Sequence, residues 1–495
     1  MINIQKNEIS TLGITDLDQD GQGIGHIQPS GMAVFVKDTV PGDEAEVRIV
    51  KVKKNLAYGR LEKILTPSPL RTEPLCPKAR ACGGCTLQHI RYEEQLKIKQ
   101  EKVIGALQRI GFVADAEKLM EPITGMEEPW HFRNKMQFPV GVDKQGQPIL
   151  GFYAGRTHSL IALEDCPIGH PVNACILRAV RAWIRESDVP IYDEQAHTGL
   201  LRHVLTRVGF STGELMVCLV VNGKNVPEAE RLKDRLEAAV EQSGTSLKLI
   251  SLMININTEK TNRILGTRSK TLFGRSYIED KIGGLIFRIS PQSFYQVNPV
   301  QTERIYQKAL EYAELTGSET VWDMYCGTGT ISLFLAGQAR QVYGVEIVPE
   351  AIRDAQQNAL INGIENAVFY TGKAEEVVPQ WMAEEGKETK IDVVMVDPPR
   401  KGMDPLLLDT LVRMAPKRLV YVSCDPATLA RDIRFLSDHG FTLEKAAAFD
   451  AFCHSTHVET VACLSNKNAK PKDFIEIGVD AEDYYRIKDS EKESK

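Results

Sequence analysis

The chain has no apolar run of membrane-spanning length; LMVCLVV, residues 215–221, is among the longest. Its opening residues, MINIQKNEIS, lack the apolar core of a secretory leader. The expectation is therefore a cytoplasmic protein with no membrane partner. There is no GxGxxG, which argues against a dinucleotide site, and no GK[ST] to hold a triphosphate. There is no internal repeat, so no solenoid is expected. Nor is there an excess of basic residues: 60 Lys and Arg stand against 66 Asp and Glu, a net charge of −6. That excludes a uniformly basic nucleic-acid coat but leaves room for local basic patches. Nothing points to an obligate protein partner.

What is present is ordinary globular composition, 43% hydrophobic and 25% charged, in 495 residues. That length predicts two to four domains. Residues 1–66 show five short alternating stretches (EISTLGITDL, GQGIGHI, MAVFVKD, EAEVRIVKV, YGRLEKIL) broken by Gly-rich turns and Pro41-Gly42-Asp43. This predicts a small OB-like β-barrel. Its last part carries Arg48, Lys51, Lys53, Lys54, Arg60 and Lys63 against Glu62 alone. The run is either an RNA-backbone contact or a solvated strand face.

TPSPLRTEP, residues 66–74, reads as a linker. A cysteine cluster follows, then an amphipathic helix from Tyr92 to Ile110 with Leu96, Val103, Ile104, Leu107 and Ile110 on its apolar positions. The helix, residues 92–111, is a candidate to pack on the C-terminal domain, which would make the domain boundary discontinuous. Residues 67–280 form the expected central α+β domain. From about 281 to 470 the pattern becomes β-α-β-α with apolar strands, which predicts a doubly wound parallel sheet of Rossmann-like form. Residues 471–495 are highly charged and predict a loosely held tail.

The α/β segment carries the chemistry. TVWDMY reads as a strand, followed by Cys326-Gly327-Thr328-Gly329 and a helix; the next strand, QVYGVEI, reaches Glu346. Glycines after a strand let a ligand approach the backbone, and an acid at the end of the second strand can accept from both ribose hydroxyls. The short GxG with so prompt an acid fits S-adenosylmethionine better than a dinucleotide; the alternative is a tight structural turn. IDVVMVDPPRKG places Asp397-Pro398-Pro399 at another strand's C-terminal end, where open α/β sheets bind ligands. RLVYVSCDPATLARD then reads as strand, Cys424-Asp425-Pro426, helix. A helix N-terminus beside Cys424 is expected to favour its thiolate, although a cysteine more often simply packs. THVETVACL is a late strand carrying His457 and Glu459, either of which is a candidate base.

Ten cysteines in a chain expected to be reduced suggest ligation or catalysis rather than disulfides. Cys76, Cys82 and Cys85 lie within ten residues, and Gly83-Gly84 lets the chain wrap closely. Cys166, followed by proline as Cys76 is, is the best fourth ligand. The spacing allows a four-cysteine zinc site or a 4Fe-4S cluster. The CxxxCxxC spacing used for radical chemistry is absent.

Taken together, CPKARACGGCTLQH, HFRNKMQF, PQSFYQVN, DMYCGTGT, VDPPRKG, YVSCDPATLARD and THVET closely resemble the bacterial RNA uracil-5-methyltransferase family, over nearly the whole chain. The resemblance implies that the barrel is a TRAM domain and that residues 281–470 form a class I methyltransferase. It implies Cys424 as nucleophile and Glu459 as base. Gln296, Tyr325, Glu346 and Asp397 match the binders of S-adenosylmethionine, and Cys76, Cys82, Cys85 and Cys166 match the ligands of a 4Fe-4S cluster. Asp425 stands where many members have Asn. Arg133 and Lys135 fall in a segment that faces RNA in the family. The basic run Lys260, Arg263, Arg268, Lys270 and Arg275 is a further candidate contact, and of Phe294 and Tyr295 one is expected to be core. The barrel and cysteines together resemble the branch that acts on 23S rRNA; the branch acting on tRNA generally lacks both.

The rivals fit less well. A cytosine-5-methyltransferase would carry a cysteine after the proline of Asp397-Pro398, and an amino-group methyltransferase an aromatic residue where Arg400 stands. An RNA-binding assembly protein with a vestigial site would not need Glu346, Asp397, Cys424 and Glu459 all intact.

Overall fold

The computed structural model describes residues 5–155, 157–384 and 390–467; the expected charged tail lies outside them. Strands Ile9–Leu17, Gly23–Ile27, Met32–Val36, Glu44–Val52 and Leu56–Thr66 close into a barrel in the order one, two, three, five, four. Alternation makes this possible: Leu12, Ile14, Val34, Val36, Val47, Ile49 and Ala57 turn inward and exclude water. At Gly59 a Cβ would lie 2.2 Å from a Val47 methyl, so only glycine lets the fifth strand pass. The basic run straddles the last two strands. Arg48 and Arg60 both converge on Glu62 at 2.7 Å, while Lys51, Lys53, Lys54 and Lys63 remain exposed cations.

The central body is a seven-stranded sheet. Its order is Arg268–Gly274, Lys248–Ile256, Glu214–Val221, Leu201–Val208, Lys135–Val142, Pro148–Tyr153, Leu160–Ala162. Helices Val172–Glu186 and Ala229–Gln242 bury Ile176, Val180, Trp183, Leu232 and Leu236 in the core on one face. Leu205, Met216, Cys218 and Met253 point the other way, into a core shared with the C-terminal body. Both faces are therefore covered, which explains why Glu214–Val221 reads as a continuous apolar run.

The C-terminal body is an eight-stranded sheet ordered Ala367–Thr371, Gln341–Glu346, Thr320–Asp323, Val393–Val396, Arg418–Ser423, Glu459–Asn466, Phe441–Phe449, Met120–Thr124. The first five are parallel, and Glu459–Asn466 runs antiparallel between two of its neighbours. Its edge strand, Met120–Thr124, comes from far upstream and pairs in parallel with Phe441–Phe449. Helix Tyr92–Arg109 precedes it, burying Val103 and Leu107 in the same core as Leu429 and Ile433 of helix Pro426–Asp438. Residues 92–124 thus cover the C-terminal sheet although they stand in the central stretch of sequence. Among the described residues no helix is long and apolar enough to cross a membrane.

Candidate active site

Four parallel strands deliver their C-terminal ends to one edge of the large sheet: Asp323, Glu346, Asp397 and Cys424 stand at or just beyond those ends. The antiparallel strand starts at that same edge. Its register pairs Ser423 with Thr460, so Glu459 comes level with Cys424. The candidate nucleophile and base, 35 residues apart in sequence, are brought together by strand direction alone.

The electrostatics follow from crowding carboxyls into a dry edge. Asp323 is fully buried and takes the Ser332 hydroxyl at 2.6 Å; burial pushes its carboxyl up to about 6. Asp397 is pushed up to about 7, by burial and then by the charge of Asp323. Glu459, 5% exposed, is pushed up to about 8 by burial and by Asp397, with Arg400 opposing. Each acid raises its neighbour, because two anions in a low dielectric repel strongly.

Cys424 departs from expectation. Burial, Glu459 and Asp397 together push its thiol up to about 11, against Arg400. The helix behind it is capped from within. Asp425 caps that helix, its carboxylate accepting from the amides of Ala427 at 2.9 Å and Thr428 at 3.1 Å. The N-terminal partial charge is therefore met by an anion before it reaches the thiol. An asparagine could make the same cap.

On the cofactor side, Gly327 (φ 53°) and Gly329 (φ 81°) carry the chain through left-handed conformations into helix Thr330–Ala336. Beside Gly327 there is open space where a side chain would stand. Glu346, half-buried, holds the Val348 amide at 2.9 Å through one oxygen. Gln296 lies on a loop braced from two sides. Asn134 donates its side-chain amide to the Gln296 carbonyl and its backbone amide to the Val297 carbonyl, both at 2.9 Å. The Thr328 hydroxyl donates to the Phe294 carbonyl at 3.4 Å, which sets the loop against the glycine turn. Tyr295 is core, whereas Phe294 is 67% exposed. Tyr325 is half-buried, and its hydroxyl is pushed up to about 12 by burial and by the nearby Glu375 and Asp404.

Three contributors escaped the sequence reading. Asp323 is the one acid in an apolar strand ahead of the glycines, and that isolation is the signal that could have found it. Arg400 follows the proline pair and is the cation nearest both Glu459 and Cys424, with a guanidinium nitrogen 3.3 Å from His457 Nε2. Tyr306, buried and bonded to Thr330 at 2.8 Å, faces Asp397, Asp323 and Glu459; nothing in its helix distinguishes it from a packing residue.

Cys76, Cys82, Cys85 and Cys166 line a single cavity of about 240 Å³. Burial pushes Cys85 up to about 11 and Cys166 to about 12, and the thiols raise one another. Among the described residues, however, no group of three or more His, Cys, Asp or Glu is arranged to hold a metal ion. Arg133 and Lys135, both half-buried, line this cavity. Asn134 between them points to the Gln296 loop. Of the second basic run, Arg275 is paired with Glu214, while Lys260, Arg263, Arg268 and Lys270 are exposed.

The raised carboxyls make stability depend on pH. A folded chain that holds a proton the unfolded chain has already released loses stability as pH rises, from the ordinary carboxylate range up through about 8 for Glu459. Glu459→Gln is therefore expected to unfold at higher temperature than the parent at pH 8, by a margin on the order of 2 kcal/mol. The gap should close near pH 5. Thermal unfolding at the two pH values checks this, and equal margins at both would contradict it.

Comparison with known proteins shows the family. Residues 192–467 match the family profile described as tRNA (Uracil-5-)-methyltransferase, and residues 5–61 match the TRAM domain. An uncharacterized RNA methyltransferase of Halalkalibacterium halodurans is 46% identical over 465 residues, covering 94% of this chain and 98% of its own. Another from Clostridium tetani is 45% identical over 471 residues, covering 95% and 99%. Among solved structures, the Pyrococcus abyssi tRNA (uracil-54, C5)-methyltransferase, in complex with S-adenosyl-L-homocysteine, superposes with a TM-score of 0.72 at 27% identity. That match covers 92% of this chain and all of the other. With a closed N-terminal barrel, a parallel sheet gathering its acids and Cys424 at one edge, and relatives matched almost end to end, this chain belongs to the tRNA (uracil-5-)-methyltransferase family of RNA-modifying enzymes.

Proposed function

We propose that the chain methylates carbon 5 of a uracil in structured RNA, most specifically 23S rRNA, through a covalent adduct between Cys424 and carbon 6. The observation that carries this is the placement of Cys424 level with Glu459 at the sheet edge that also holds Asp397. Carbon 5 of uracil is a poor nucleophile. Addition of the Cys424 thiolate at carbon 6 places an enolate's electron density on carbon 5. S-adenosylmethionine, when bound, supplies an electrophilic methyl group as its sulfonium. Glu459 then removes the proton from carbon 5, and the electrons of that C–H bond restore the double bond as the C6–S bond breaks. A carboxyl with a raised pKa suits proton abstraction at neutral pH. Glu346 and Asp397, with Gln296 and Tyr325, are assigned to hold the cofactor around the open space at Gly327. The target base must leave its stack to reach Cys424.

The barrel and the cysteine lobe, which resemble the ribosomal branch, support 23S rRNA. A second reading, tRNA, is favoured by the Pyrococcus abyssi enzyme, whose name gives tRNA as its substrate; its match leaves too little of this chain uncovered to omit the barrel. Methyl transfer to 23S rRNA fragments and to tRNA transcripts, with the product located by nuclease digestion and mass spectrometry, decides between them. Product in neither RNA would overturn the reading.

The cysteine cavity is assigned to a 4Fe-4S cluster. Four thiols spread around one cavity, with Arg133 and Lys135 on its wall to balance an anionic centre, fit such a group, and the resemblance of these cysteines to the family's cluster ligands favours 4Fe-4S over a single tetrahedral ion. Purified without oxygen, the chain is expected to carry iron and sulfide in equal amounts with broad visible absorbance. Cys166→Ser is expected to lose most of that absorbance. Zinc in place of iron would contradict the assignment.

A further inference from the structure

The strands Phe441–Phe449 and Glu459–Asn466 are joined by a loop whose far end is Glu459 itself, paired with Phe449 across the hairpin. The loop is held from outside. Lys99, on helix Tyr92–Arg109, has no exposed surface; its ammonium meets the Asp450 carboxylate and the Phe452 carbonyl, the latter at 3.1 Å. Asp450 is equally buried and also takes the Tyr92 hydroxyl at 2.8 Å. Lys102, one turn further along, donates to the Thr456 carbonyl at 3.0 Å. His454 sits in a left-handed conformation (φ 62°), with its ring stacked on Trp130 at 3.8 Å. The His454 carbonyl accepts from the amides of Thr86 at 2.9 Å and Leu87 at 3.0 Å, directly after Cys85.

A fully buried lysine is rare and is found paired, and such a pair is weak evidence of stability because desolvating both charges offsets their attraction. What the pair does provide is one geometry: a carboxylate and a carbonyl on the loop converge on a single ammonium. We infer that Lys99 and Lys102 are positioning residues that fix the loop Asp450–Val458 and so hold the Glu459 carboxyl where it takes the proton from carbon 5. The inference rests on the reading of Glu459 as the base. It also gives the cysteine segment a route to the active site, through Thr86 and Leu87 to His454.

Loss of the tether has a particular kinetic consequence. Addition of Cys424 to carbon 6 and arrival of the methyl group on carbon 5 precede the work of Glu459. A displaced carboxyl slows only proton removal and the C6–S cleavage that follows it. The methylated adduct then accumulates on ordinary uracil, a signature that general structural damage does not produce.

The test uses the full chain, whichever ordinary unfluorinated RNA it methylates, and S-adenosylmethionine labelled in the methyl group. Parent, Glu459→Gln, Lys99→Met, Lys102→Met and Lys102→Arg are compared on denaturing gels. Lys99→Met and Lys102→Met are expected to build up labelled protein–RNA adduct while turnover falls about 10- to 100-fold. Lys102→Arg, which keeps a donor for the Thr456 carbonyl, should behave as the parent. If Lys99→Met does not fold, Lys102→Met decides, since Lys102 is only half-buried. Parent-like turnover in the methionine variants, or slow turnover without labelled adduct, overturns the inference. If Glu459→Gln also fails to accumulate adduct, the base assignment itself falls; if it accumulates adduct and the lysine variants do not, the positioning role alone falls.

Discussion

Replacing Cys424 with alanine is expected to lower methyl transfer on the order of 10⁴-fold or more, while RNA binding stays close to that of the parent. The size follows from the chemistry. Without a thiolate on carbon 6 there is no enolate, and Asp323, Asp397 and Glu459, being carboxyls, are far weaker nucleophiles than a thiolate. Cys424 is half-buried at a strand end, and alanine fits there without strain, so the variant should fold. Its pH dependence is informative in the parent. With the thiol held up to about 11 and Glu459 up to about 8 in the free enzyme, kcat/KM should rise with pH across the neutral range, since both groups act deprotonated. A rate that fell with rising pH would contradict these assignments. Intact RNA binding with lost transfer would also dispose of the rival in which the site is vestigial, because a protein that only binds RNA has no methyl transfer to lose.

Glu459→Gln is the second large effect. Turnover is expected to fall about 10²- to 10⁴-fold, the usual range for a lost general base. The loss should fall on one step. Glutamine occupies nearly the same volume and leaves Cys424 in place, so addition and methyl transfer proceed, and removal of the carbon 5 proton does not. Burst kinetics should show one labelled methyl per enzyme bound to RNA through protein, followed by slow release. Above about pH 8, where Glu459 is ionised, the same substitution should relieve Cys424 of a neighbouring negative charge that raises its thiol. Thiolate formation is then easier in that range, and at neutral pH, where both side chains are neutral, the adduct should form about as fast as in the parent. A variant that bound RNA but formed no adduct would place the essential function of Glu459 before the covalent step.

Much of this site was legible in the sequence because it depends on local order. Strand, glycine turn and helix placed Gly327, and strand followed by Cys-Asp-Pro placed Cys424. The barrel was legible for the same reason: five alternating stretches with turn residues between them have few other ways to hide their apolar faces. What was not legible depends on long-range contact. Lys99 looks like a solvated residue of an amphipathic helix; its burial is set by Asp450, 351 residues away. Met120–Thr124 gives no sign that it will border a sheet built mostly from residues beyond 320. That Arg133 and Lys135 line the same cavity as the cysteines depends on chain packing that their local sequence does not show. The Cys424 thiol is raised rather than lowered because folding buries it and gathers Glu459 and Asp397 beside it, neighbours that the local strand–Cys-Asp-Pro–helix order does not show.

The most direct test of the covalent mechanism is incubation of the chain and S-adenosylmethionine with 23S rRNA fragments, and separately with tRNA, in which uridine is replaced by 5-fluorouridine. Fluorine at carbon 5 cannot leave as a proton, so Glu459 has nothing to remove and the adduct stalls. The account predicts a slow-migrating protein–RNA species on a denaturing gel, formed by the parent, absent from Cys424→Ala, and mapping to one base of the RNA. A parent that binds both RNA and cofactor yet traps neither RNA would contradict it.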